Sequence, residues 1–143
     1  MSNPQHHGNH ARYIPFWHFI TSAAILALLI GSIINLTHSA KENIYSASLL
    51  VLAAFILLSI FWYARWFALR AQDRAIRAEE NLRHFALTGK LLDSRLRLGQ
   101  IIALRFAGDQ EFVGLAKKAA EEGLPAKEIK QSIQHWRADY HRV

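Results

Sequence analysis

Apolar residues run without Asp, Glu, Lys or Arg from Phe16 to Leu36 and again from Ile44 to Ala64, and the stretch between them, Thr37 to Asn43, is polar or small. Each run is about 21 residues, and at roughly 1.5 Å of rise per residue each crosses a hydrocarbon core of roughly 30 Å. So short a connector holds no domain. The pattern therefore predicts an all-α integral membrane hairpin: two antiparallel transmembrane helices with both termini on one side of the bilayer.

The second helix is predicted to outrun the membrane. Beyond Trp66 the chain has neither Pro nor Gly until Gly89 and is rich in Ala, Leu, Arg, Glu and Gln, all good helix formers. One helix from Ile44 to about Thr88 follows, roughly 65 Å long, with Asp73–Arg77 and Glu79–Arg83 in the favourable i,i+4 order. Along it Phe61, Ala64, Ala68, Ala71, Ala75, Ala78, Leu82, Phe85 and Gly89 recur at alternating spacings of three and four, and the series extends backward through Leu57, Ala54, Leu50 and Ala47. This is a heptad seam. Its run of alanines lets another backbone approach closely. It predicts self-association through Phe61 to Phe85; the alternative is packing against the chain's own first span or its C-terminal helices.

Three shorter helices are predicted after Leu91: Ser94 to Phe106, Asp109 to Glu122 with Asp109 as N-cap, and Pro125 to Tyr140, where Ile129, Ile133 and Trp136 share a face. The expected organisation is a polar arm (1–15), transmembrane helices 16–36 and 44–67 around an external connector (37–43), an extension of the second helix (68–89), and a small helical cap (90–143). So small a cap buries little core alone and is expected to lean on the long helix or on neighbouring copies.

Charge orients the hairpin. The formal net charge is +6, and the basic residues crowd behind the second span: Arg65, Arg70, Arg74, Arg77, Arg83, Lys90, Arg95, Arg97 and Arg105 against Asp73, Glu79, Glu80 and Asp93. The connector offers only Lys41 beside Glu42. The positive-inside rule then places both termini in the cytoplasm. Tyr13, Phe16, Trp17 and Phe19 enter the first span at the level where Phe61, Trp62, Tyr63, Trp66 and Phe67 leave the second, as an aromatic belt does. Trp17, Trp62, Arg65, Trp66 and Arg70 are the expected headgroup contacts, anionic lipid included. The first span is expected to stay uncleaved, because its apolar stretch is long, its flank carries one Arg, and His38 stands two residues before Ala40.

Little catalytic chemistry is visible. There is no cysteine, which removes disulfides, thiolate catalysis and Cys-ligated metals. His6, His7 and His10 form an HHxxH cluster that is a weak metal candidate, since a polar arm does not hold ligands in place. His18 reads as an interfacial histidine rather than a haem or quinone contact, and no cofactor is expected. The helix pair either side of Gly123 has helix-turn-helix spacing, but its near balance of charges makes nucleic acid an unlikely partner. Without a nucleophile–base pair or a phosphate loop, no enzyme is expected. Without charge inside the spans, no transporter is expected.

The stretch QDRAIRAEENLRHFALTGKLLDSRLRLGQIIALRFA, Gln72 to Ala107, together with the His-rich arm and two spans, resembles a family of small bacterial two-span membrane proteins of unknown function. The resemblance covers nearly the whole chain. It implies a bacterial inner membrane and this architecture, and it carries no activity, cofactor or catalytic residue. The expected function is that of a non-enzymatic inner-membrane scaffold or interaction protein, self-associating through the seam. The alternatives are an oligomeric pore lined by Ser22, Ser32, Asn35 or Ser59 and an accessory subunit of a larger membrane complex.

Overall fold

The computed structural model describes His6, Gly8 and residues 14–139. The described residues are mostly helical, with no strand among them beyond a single antiparallel bridge between Ala107 and Trp136. In chain order the helices are α1 (Phe16–His38), α2 (Ile44–Thr88), α3 (Leu98–Leu104), α4 (Asp109–Glu122) and α5 (Ala126–Ser132). The chain divides into two compact units, one ending at Ala68 and one beginning at Leu69.

In the first unit, α1 and α2 form the hairpin. Trp17, near the start of α1, stacks on Phe61, far along α2, with ring centroids 4.4 Å apart, while the connector joins their other ends; the two helices are therefore antiparallel. Ser32, Ala47 and Ala54 are the positions the hairpin buries. Small side chains there let the helices come close. Of the most apolar window of each helix, 6 % of residues are buried in the first and 11 % in the second. Most of the apolar surface of both helices is therefore not covered by the chain itself. Both helices are long and apolar enough to cross a membrane.

The start of α1 departs from a uniform α-helix. Phe16–Thr21 is a π-helical segment, and the regular α-helix begins at Ser22. The Thr21 hydroxyl donates to the Phe16 carbonyl (3.1 Å) and the Ser22 hydroxyl to that of Trp17 (3.3 Å), each five residues back. These side chains reach the carbonyls that a wide turn leaves poorly served.

In the second unit the C-terminal part of α2 is followed by a small core that includes Leu92, Leu96, Ile101, Leu104, Phe112, Ala116, Ala119 and Ile129. Helix α3 is shorter than the expected Ser94 to Phe106. The Asp93 carboxylate takes the Arg95 N–H (2.9 Å), making a turn, and the Gln100 side chain takes the Arg97 N–H (2.7 Å), so the helix starts at Leu98. Helix α4 has the expected span, with Gly108 rather than Asp109 at its N-cap, and Gly123 ends it in the left-handed conformation (φ 67°) that glycine adopts without steric cost.

Helix α5 stops at Ser132, well short of Tyr140, which lies outside the described residues. The Glu111 carboxylate, on α4, accepts the N–H groups of Gln134 (3.0 Å) and His135 (2.9 Å). Arg137 then donates its N–H to the Phe106 carbonyl (2.7 Å), and Trp136 stacks on Phe106 at 4.6 Å. Residues 133–139 thus form a strap instead of helix.

Candidate interaction site

From Leu69 onward α2 has two faces of different fate. Ile76 and Glu80 are buried on one, and the charges there are paired. Arg83 donates to Glu80 (3.0 Å), to the Asp109 carboxylate (2.7 Å) and to the Ala107 carbonyl (2.7 Å), and its guanidinium lies 4.2 Å from the centre of the Phe112 ring. Glu80 also meets Arg137 of the strap at 3.8 Å. Next to it, the Asn81 side chain accepts the Leu92 N–H at 3.2 Å. This face holds the cap. The expected Glu79–Arg83 pair is therefore replaced, because Arg83 turns toward Glu80 and Asp109.

At about 100° per residue the predicted seam lies roughly 150° around the helix from that face. Ala71, Ala75 and Ala78 are exposed, and so are Leu82 (68 %) and Phe85 (51 %). Nothing within the second unit's described residues covers them. In the hairpin unit the seam divides instead. Ala47 and Ala54 are buried, Phe61 is engaged by Trp17 and Ala68 is half-buried, whereas Leu50, Leu57 and Ala64 are exposed. Of the predicted interface residues, Ala64, Ala71, Ala75, Ala78, Leu82 and Phe85 are thus open, and Phe61 already has an intramolecular contact.

Four of the predicted headgroup residues lie where α2 leaves its apolar stretch; the fifth, Trp17, is half-buried on α1 and stacked on Phe61. Trp62 is 69 % exposed, Trp66 and Arg70 are exposed, and Arg65 is half-buried. Tyr63 stacks on Phe67 at 5.7 Å and meets the edge of Trp66 at 6.3 Å, giving a continuous aromatic surface on one helix. The serines that would line a pore are occupied by their own helices: Ser22, Ser32 and Ser59 donate to the carbonyls of Trp17, Leu29 and Phe55.

Of the HHxxH cluster, His7 and His10 lie outside the described residues; the His6 ring accepts the Gly8 N–H at 3.0 Å. Among the described residues no group of three potential ligands is placed to hold a metal. His84 is half-buried; its ring lies 2.7 Å from the Lys90 carbonyl and meets the Phe112 ring edge-on. It secures the turn after α2.

Sequence reasoning missed the polar ties of the cap. Gln100 is buried and donates to the carbonyls of Ala119 (3.2 Å) and Leu124 (2.8 Å) at the end of α4. Such carbonyls have no helical partner of their own. The only available signal was a glutamine inside an otherwise apolar helix. Hydrogen bonds from the Arg95 side chain and backbone hold the exposed Asp93 carboxyl down at about 2, and the same pair raises Arg95.

No curated protein matches this chain, and no solved structure does. A family model, however, matches residues 1–143, and the chain accordingly belongs to that family, the family of unknown function DUF6526.

Proposed function

We propose that this protein is a non-enzymatic scaffold or interaction protein of a bacterial inner membrane, with both termini cytoplasmic, that self-associates through the seam on α2 and presents the cap as a cytoplasmic platform. One observation carries the reading. The cap is fastened to the Ile76–Glu80–Arg83 face, so the opposite face, from Ala71 to Phe85, is left apolar and open. Leu82 and Phe85 facing water cost free energy that a matching surface would recover.

The hairpin is consistent with this use of α2. Its outward positions Leu50, Leu57 and Ala64 are exposed and continue the same heptad position as Ala71, Ala78 and Phe85. The aromatic belt and Arg65, with Arg70, suit the cytoplasmic headgroup level and anionic lipid.

The test is replacement of Ala71, Ala75 and Ala78 together by Leu, followed by native mass spectrometry after gentle extraction. These positions are exposed, so the fold should survive while the added bulk separates the helices. A changed oligomer size or a monomer supports the reading, and an unchanged assembly refutes it. Wild-type protein that emerges as a monomer bound to other proteins would instead make it an accessory subunit.

A further inference from the structure

Resting on that reading, we infer that the partner on the open face is a second copy of this chain, lying parallel and in register, with Arg74 of each copy paired to Glu79 of the other. The seam sets the heptad positions: Ala68, Ala75 and Leu82 fall at a, and Ala71, Ala78 and Phe85 at d. Arg74 then falls at g and Glu79 at e, the two positions that border a coiled-coil seam. At about 100° per residue they flank its centre by roughly 60° on one side and roughly 80° on the other.

Neither residue is used at home. Both are exposed, and among the described residues neither takes part in an ion pair. Five residues apart on one helix, they point to different sides and do not reach each other. Arg83, the natural i+4 partner of Glu79, is committed to Glu80 and Asp109. The cap therefore leaves one cation and one anion beside an apolar stripe.

Charge complementarity selects the orientation. In a parallel, in-register pair, a g residue stands beside the e residue five positions later on its neighbour. Arg74 meets Glu79, twice by symmetry. The other such pairs are Phe67 with Gln72 and Asn81 with Ala86, and neither opposes like charges. In an antiparallel pair g borders g and e borders e. Phe67, Arg74 and Asn81 would then face one another, as would Gln72, Glu79 and Ala86, with no opposite charges brought together. Two hairpins in one membrane with their termini on the same side also have parallel α2 helices.

The experiment is a charge swap on the full-length protein in detergent, with the dissociation constant of the pair read by dilution at low and raised salt. Arg74→Glu alone and Glu79→Arg alone should each weaken the pair about tenfold, since two exposed attractions become two repulsions. The double swap Arg74→Glu/Glu79→Arg should return to wild-type affinity. Helix content and melting of the cap report whether each variant folds. Because the chain has no cysteine, Ala78→Cys gives a second readout: a d position self-crosslinks under mild oxidation only in register. A pair that ignores the single swaps, or is not restored by the double one, or fails to crosslink at residue 78, overturns the parallel register while leaving self-association standing. A wild-type monomer overturns both.

Discussion

At the scale of single residues, a few polar side chains do work that apolar burial alone does not. Gln100 is the clearest: its amide closes two carbonyls where α4 ends, and its own oxygen caps the start of α3. Gln100→Leu keeps the volume and removes the bonds, so it should cost the cap about 2 kcal/mol, read as a lower urea midpoint at unchanged slope. Glu80 carries more, because it is buried and faces Arg83 and Arg137. Glu80→Ala strands Arg83 against the cap and should cost about 3 kcal/mol. An unfolding midpoint equal to wild type would show that Asp109 and the Ala107 carbonyl suffice for that guanidinium. Asp93 is different, being exposed. Its carboxyl sits at about 2 against its usual 3.8 because Arg95 donates to it. A group whose pKa falls on folding contributes stability above its unfolded value and loses it as pH drops through the folded one. The turn before α3 should therefore hold at pH 4 and weaken toward pH 2. Carboxyl chemical shifts should show a midpoint near 2, moving back toward 3.8 in Arg95→Ala.

At the scale of elements, the strap shows how tertiary contacts overrule local pattern. Ile129, Ile133 and Trp136 have helical spacing, and nothing between Pro125 and Tyr140 forbids a helix; yet α5 ends at Ser132 because Glu111 captures the N–H groups of Gln134 and His135 and Phe106 captures Trp136. Glu111→Ala should speed hydrogen exchange at the amides of Gln134 and His135 by an order of magnitude or more, roughly the loss of a charge-assisted bond. The amides in the middle of α4 should remain protected. Loss of protection throughout α4 would mean that Glu111 holds the whole cap rather than the strap. The same contrast explains what the sequence discloses. Helix α2 is legible because an apolar run and an Ala-, Leu-, Arg- and Glu-rich stretch follow each other with no Pro or Gly before Gly89, and α4 because glycines stand at both its ends. The π-helical segment, the early end of α5 and the division of the seam were not legible. Each depends on which neighbour arrives: a hydroxyl five residues on, a carboxylate from another helix, or Trp17 lying on Phe61. For the seam the ambiguity is complete. A period of three and four suits a contact with one's own first span as well as with another chain, and the chain uses Ala47, Ala54 and Phe61 for the first while leaving Ala71 to Phe85 open.

At the scale of the whole molecule, the proposed topology has consequences that do not depend on the identity of any partner. The residues that set it are asymmetric: the connector has one cation beside one anion, whereas Arg65 to Arg105 carries nine Lys or Arg against four acids. The positive-inside rule is the ground for proposing that the basic side is cytoplasmic, and in a two-span hairpin the N-terminus lies on that same side. The absence of cysteine makes this directly measurable, since one introduced thiol is the sole label. Ser39→Cys, in the connector, should react with a membrane-impermeant maleimide applied to intact spheroplasts. Lys118→Cys, on the exposed side of α4, should react only after the membrane is opened. Reversed labelling would place the cap outside, moving Arg65 and Arg70 away from the anionic cytoplasmic leaflet and removing the reason for assigning them to lipid. Labelling of both sites from one side would mean that the apolar helices do not cross at all, and their exposed surfaces would then require a protein partner along their full length. With the predicted pattern, Ala71 to Phe85 lie on the cytoplasmic side in every copy. Two-dimensional confinement then raises the effective concentration of one open face for another, so the pair measured in detergent is expected to be more fully formed in the membrane. Crosslinking through Ala78→Cys in native membranes should therefore exceed that in detergent at equal total protein.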